Sequence, residues 1–302
     1  MIQEKLITFD QKKVIVNLGS EAMMAAISKV NLNSLSAEND IINKGVEFKN
    51  RVEEAVKAII MDITTPNKYA KEIVVSKYDY PHEYKCKSID EQVKKIATIF
   101  GLQSMEALEF IKKLPILPDG AEGWFAIPKV SAVRKKYFPS ITDIAEQYCE
   151  ALKLVQVKIA EKREFNNYRK GEITTRQIRQ HSRTLRFIQQ LEYEQSGDIL
   201  IIAAQYGMRH RGKSIRRARE TFSDNEFGLG AFALCCMVLV HPDRYVNWDE
   251  LDTCCVGDEF ALHPDGEFSD APILNFEDDL EFLTSNIEFV DCRFGSPSGF
   301  FL

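Results

Sequence analysis

The sequence lacks a hydrophobic run long enough to cross a bilayer. Its longest uncharged apolar stretch, Phe227 to Val240, has 14 residues, short of the about 20 that a membrane helix needs. Nor does the start, MIQEKLITFD, place an apolar core behind a basic segment, so no secretory leader is expected there. No internal repeat, low-complexity tract or sustained heptad is present, which excludes solenoids and long coiled coils. G-x-S-x-G and H-E-x-x-H are also absent, so the common serine-hydrolase and zinc-protease signatures are missing. What is present is ordinary for a globular chain: 302 residues, 45% apolar and 28% charged. A soluble, non-membrane protein of the cytoplasm is the expectation.

Seven cysteines, an odd number, point to free thiols in a reducing compartment. The adjacent pairs Cys235-Cys236 and Cys254-Cys255 are poor chelates, because neighbouring side chains diverge. Cys235 and Cys236 also lie in the longest apolar run, where cysteine packs as a small hydrophobe. No metal site is expected from them.

Positive charge is scarce at one end. Residues 221–302 hold 2 Arg, no Lys and 17 Asp or Glu, whereas residues 151–220 hold 16 Lys or Arg against 7 acids. The first 150 residues balance at 21 of each sign. A basic middle can track a phosphate backbone, and an acidic C-terminal third can cover that middle or compete for it. The two segments can equally pair with each other inside one fold.

Periodicity and turn signals suggest an α+β fold, helix-rich, with a central αα-hairpin and small antiparallel sheets. Strands are expected at Leu6–Phe9 and Val14–Asn17, then helices over Glu21–Val30 and about 42–63. Ile73–Lys77 and Glu83–Lys87 read as a strand pair. Ser88 to Glu91 is a capping box opening a helix through Phe100. A second helix runs from about Ser104 to Lys113, and the pair resembles a helix-turn-helix, although Glu106 and Glu109 would face the phosphates. Pro115, Pro118, Gly120 and Gly123 suggest a boundary, dividing a mixed part, 1–118, from 119–302, unless the two are continuous. Trp124–Ile127 reads as a strand. Helices from Ser140 to about Glu164 and from Thr174 to about Gly197 form the expected hairpin. Residues 198–206 read as a buried strand, Phe227–Val240 as a core helix, and the tail as strands near 259–262, 273–276, 280–282 and 287–289.

Two passages carry candidate chemistry. On the expected helix from Thr175, Arg176, Arg179, Arg183 and Arg186 fall within an arc of about 80°, with Ile178, Leu185 and Ile188 opposite. Arg209, Arg211, Arg216 and Arg217 follow. Arginine suits bidentate phosphate contact, so these eight residues are the candidate surface for nucleic acid or another polyanion. The second passage, Gly207 to Ser214, matches G-x-x-x-x-G-K-S. In a phosphate loop, backbone N–H groups around Gly207 and Gly212 would cradle phosphates, Lys213 would reach the terminal ones, and Ser214 would hold Mg²⁺. Against this, only 88 residues follow Ser214, and they do not alternate as βαβ units.

The leading expectation is therefore a polyanion-binding protein without a cofactor, its basic 176–219 region moderated by the acidic tail. The alternatives are a Mg-nucleotide-binding protein or NTPase using 207–214, and an interaction module whose charged regions meet a protein partner or a second copy.

Overall fold

Two of the longer helices in this chain begin where a short polar side chain can take up a free N–H group of the first turn. In the computed structural model, Ser88 accepts from the Glu91 amide at 3.4 Å and Asp143 from the Glu146 amide at 2.8 Å. The structure describes residues 9–29, 43–50, 52–53 and 68–302, and the chain forms two compact units, Met1–Asn67 and Lys68–Leu302.

In the first unit, helix α1 spans Phe9–Lys29. The expected strand at Val14–Asn17 lies inside it. Val14 and Val16 alternate over too short a stretch to distinguish strand from helix. Both are exposed, as are Leu18, Met24 and Ile27. Residues 45–50 and 52–53 are helical, and the rest of the helix expected near 42–63 lies outside the described residues, as do Leu6 to Thr8.

The second unit is α+β, with antiparallel and mixed sheets. Its helices are α2 (Ile89–Phe100), α3 (Met105–Ile111), α4 (Val130–Tyr137), α5 (Ile144–Ala160), α6 (Ser182–Glu194), α7 (Ile215–Glu220) and α8 (Ala231–Val240). One sheet is antiparallel throughout, in the order β1 (Gly123–Pro128), β4 (Ile199–Gln205), β11 (Ser298–Phe300), β5 (Glu226–Gly228). In the other, β8 (Asp270–Phe276) runs antiparallel to β9 (Leu280–Asn286) on one side. Its other side is shared by β6 (Asp252–Cys254) and β7 (Asp258–Phe260). Three short strands extend this sheet: β2 (Phe165–Asn167) on β9, β3 (Ile178–Gln180) on β7, and β10 (Phe294–Gly295) on β6.

The core forms where apolar runs are continuous rather than periodic. Every residue of β4 and of α8 is buried, as expected for elements that are hydrophobic on all sides. Cys235, Cys236, Cys254 and Cys255 are free and buried, packed as hydrophobes. Residues 68–118 join this unit rather than the N-terminal part: Val93, Ile96, Phe100 and Ala107 share the core of Phe125 and Leu152. The start of α3 is tied to the turn before β4, where the Gln103 amide donates to Asp198 at 3.0 Å.

Four other expectations fail. No αα-hairpin forms, because Phe165–Asn167 and Ile178–Gln180 are strands between α5 and α6. The Gln177 and Ile178 amides both bond the Thr174 carbonyl, giving a single turn; Ile178 then extends beside Phe260 of β7, and both are buried. The helix restarts only at Ser182, with the His181 ring accepting from the Arg183 amide. The expected strand pair at 73–77 and 83–87 reduces to one bridge, Ile73 with Lys213. Residues 226–228 form β5 rather than the first turn of the core helix, since Gly230 caps α8. Ile287–Phe289 is a turn and coil beyond β9.

Candidate functional site

The loop from Gln205 to Ser214 has the local context of a phosphate loop. It leaves the end of buried β4 and enters α7, whose first turn is capped by Ser214 Oγ accepting from the Arg217 amide at 3.1 Å. Both glycines are needed. Gly207 has φ 138° and Gly212 φ 69°, the region that disfavours a side chain. A Cβ on Gly212 would meet the Val74 carbonyl oxygen at 2.2 Å.

That close neighbour shows where the loop's donors go. The Gly207 and Arg209 amides bond Gln205 Oε1, and the Met208 amide bonds the Tyr80 hydroxyl. The His210 and Arg211 amides close the short 3₁₀ turn, and Gly212 donates to the Phe294 carbonyl at 2.7 Å. The Ser214 amide donates to the Glu72 carbonyl at 3.1 Å, while Val74 donates back to Gly212 at 2.8 Å. In this conformation the chain around 72–76 fills the concavity in which a phosphate would sit. The Ser214 hydroxyl donates to Glu72 Oε2 at 2.6 Å. Lys213 Nζ turns to the Thr221 hydroxyl at 3.0 Å and His210 Nδ1 at 3.3 Å.

Lys213 and His210 belong to a buried relay that ends on Glu226. His210 Nε2 lies 2.7 Å from Glu226 Oε1, and Ser298 donates to the same oxygen at 2.5 Å. The Ser223 amide and hydroxyl reach Oε2, both at 3.2 Å, and Arg209 Nε stands 3.4 Å from Oε1. Burial by itself would raise the Glu226 carboxyl, but these donors and cations hold it down at about 2. Burial and the flanking Lys213 and Arg209 lower the His210 pKa against the pull of Glu226. A neutral His210 then donates through Nε2 and accepts from Lys213 through Nδ1, which accounts for both of its contacts. No sequence spacing marks Glu226, Ser298 and His210 as a group, because the partners lie 72 and 16 residues apart.

The arginines do not form one helical stripe. Arg176 precedes β3 and is exposed; Arg179 sits on β3, stacks on Phe268 at 3.9 Å and pairs with Glu259 at 2.7 Å. Only Arg183 and Arg186 lie on α6. Arg183 bonds the carbonyls of Ser223, Asp224 and Glu226. The Arg211 guanidinium donates to the Tyr78 carbonyl, Arg216 pairs with Glu72 and Glu288, and Arg217 with Glu220. Arg219 bonds the carbonyls of Val256 and Asp258 and lies 3.9 Å from Glu259. Much of the basic segment is thus neutralised within the fold, including by Glu226, Glu259 and Glu288 of the acidic third.

What the tertiary structure does assemble is smaller. Arg183, Arg186 and Arg209 gather at β5, the edge strand of the four-stranded sheet. Arg186 is exposed and lies 4.9 Å over Phe187; Arg209 is exposed and lies 5.8 Å over Phe300. Phe187 packs in turn on Phe227 and Phe301.

A second buried group lies behind the loop. Arg244 is fully buried among Tyr80, Tyr206 and Tyr245, with its guanidinium carbon 4.3, 5.6 and 4.8 Å from their ring centres. Glu122 accepts from the Tyr80 hydroxyl and the Tyr206 amide at 2.5 and 3.0 Å. These contacts fix the tyrosine that holds the Met208 amide. In sequence Arg244 lies in the passage His-Pro-Asp-Arg-Tyr at 241–245, where no spacing marks it as buried.

Among the described residues, no group of three or more His, Cys, Asp or Glu side chains is placed to hold a metal ion, and no helix is long and apolar enough to cross a membrane. No family model matches the chain, and no curated protein or solved structure matches it.

Proposed function

We propose that the protein binds a polyanion, nucleic acid first among them, through the arginine surface at β5. The observation that carries this reading is the pairing of exposed Arg186 and Arg209 with Phe187 and Phe300 around an edge strand. Guanidinium groups neutralise phosphates, and Phe187 and Phe300, both buried, support the two guanidinium groups from beneath. Arg183 anchors the surface through backbone carbonyls and is a supporting residue here. Arg176 precedes β3, on the other sheet, and is not part of this surface.

The test is fluorescence anisotropy of a labelled single-stranded oligonucleotide at low salt, with wild type and the pair Arg186→Glu, Arg209→Gln. Wild-type binding should weaken steeply with salt, and the variant should lose about tenfold or more in affinity while its circular dichroism spectrum shows that it is still folded at the assay temperature. Equal binding by the variant would reject the surface.

The competing reading is a Mg-nucleotide at Gly207, Gly212, Lys213 and Ser214. It requires the segment around Glu72 to leave the loop. A melting temperature that rises with Mg-ATP or Mg-GTP in wild type, and not in Lys213→Ala, would favour it over the polyanion surface.

A further inference from the structure

An open cavity of about 360 Å³ lies away from the loop and from β5, lined by Lys95 of α2, Ile159 of α5, Lys162 and Arg163 just beyond it, Val238 and Leu239 of α8, and Pro242, Asp243 and Val246. Its floor is apolar, from Ile159, Val238, Leu239 and Val246. Its rim carries three cations and one carboxylate, Asp243, on a chain whose net charge is −6.

The cations are not consumed by acids. Lys95 donates to the Val240 carbonyl at 3.0 Å, and Arg163 donates to the carbonyls of Pro242 and Tyr245 at 3.1 and 2.7 Å. These bonds cap the end of α8 and the chain beyond it, and they leave further N–H donors on both side chains. Asp243 turns to Lys87, 3.6 Å away. Lys162 is exposed at the rim. Burial, then the nearby charges of Lys87 and Lys162, lower the Lys95 pKa. Cations gathered in this way repel one another, and a bound anion would relieve that repulsion.

We propose that this cavity binds a small organic anion, its carboxylate or phosphate held by Lys95, Lys162 and Arg163 and its hydrocarbon portion laid on Ile159, Val238, Leu239 and Val246. A cavity of this volume falls within the range of small-molecule sites, where an apolar lining supplies affinity and a few polar groups set orientation. The charge on the rim selects an anion over a neutral ligand of the same shape.

Titration calorimetry of the full chain with octanoate and with octyl phosphate tests this, using wild type, Lys162→Glu and, as a control remote from the cavity lining, Lys113→Glu. Wild type should bind at least one probe saturably with Kd below about 1 mM, and Lys162→Glu should weaken it by about tenfold or more, while Lys113→Glu binds as wild type does. Saturation by octanoate alone would identify a carboxylate ligand, and by octyl phosphate alone a phosphate ester. No saturable binding of either probe, unchanged binding by Lys162→Glu, or an equal loss in Lys113→Glu would overturn the proposal.

Discussion

Glu226 and Asp258 are both fully buried acids, yet the fold treats them in opposite ways. Glu226 is held down at about 2 and Asp258 is pushed up to about 7. Burial acts on both in the same direction, upward. The difference lies in the donors. Glu226 takes bonds from Ser298, Ser223 and His210, with Arg209 beside it and Lys213 behind the histidine. Asp258 has only neutral donors on its carboxylate: the Tyr148 hydroxyl at 2.6 and 2.8 Å and the Ala231 amide at 2.7 Å. Arg219 reaches the Asp258 backbone carbonyl instead. Two neutral donors do not replace the hydration of a carboxylate, whereas a cationic and hydroxylic shell does.

The largest expected effect comes from removing the better-satisfied acid. Glu226→Gln should destabilise the fold by about 3–5 kcal/mol at neutral pH, the usual cost of breaking a buried, paired charge, seen as a fall in the denaturation midpoint. A loss below about 1 kcal/mol would mean that Glu226 has the worth of a surface ion pair, and the contrast with Asp258 would collapse. Tyr148→Phe comes next. It removes the hydroxyl from Asp258 and should cost about 1.5–3 kcal/mol, the range for a bond to a charged group, with the larger value at high pH where Asp258 is ionised.

The third effect is one of pH dependence, read as a difference between two proteins. Because Asp258 is raised, the folded state keeps a proton between about pH 4 and pH 7 that the unfolded chain has released. The burden of its burial therefore grows across that window and is complete above it. Asp258→Asn removes this titration while leaving an acceptor for Tyr148 and Ala231. Its melting temperature relative to wild type should rise from pH 5 to pH 8. Asp252 is also pushed up to about 7, but it is present in both proteins and cancels from the difference. A difference that stays flat or falls would show that Asp258 is ionised throughout.

Much of the scaffold was legible in the residues themselves. The Ser88 cap, the helix end at Phe100, the β1 and β4 strands and the apolar core helix to Val240 all rest on local chemistry that any neighbour would leave intact, whereas the cap expected at Ser140 falls at Asp143. The arginine spacing misled because helical periodicity is necessary for a stripe but does not create a helix. At 174–180 the burial of Ile178 beside Phe260 decides for strand, and Arg179 leaves the face on which Arg183 and Arg186 remain. The G-x-x-x-x-G-K-S match was legible in the same limited way. Its two glycines, the preceding strand and the following helix were all found, while the occupant of its concavity, the chain around Glu72, lies more than 130 residues away in sequence.

The sequence by itself determined where helices could start, which runs had to be buried and how charge was divided between the middle and the end of the chain. These follow from backbone donors, apolar area and residue counts, which need no partner to act. The tertiary structure decided which charges meet. Electrostatic pairing depends on distances across the fold, and only packing brings His210 to Glu226, Arg216 to Glu72 and Lys95 toward Lys162 and Arg163 around one cavity.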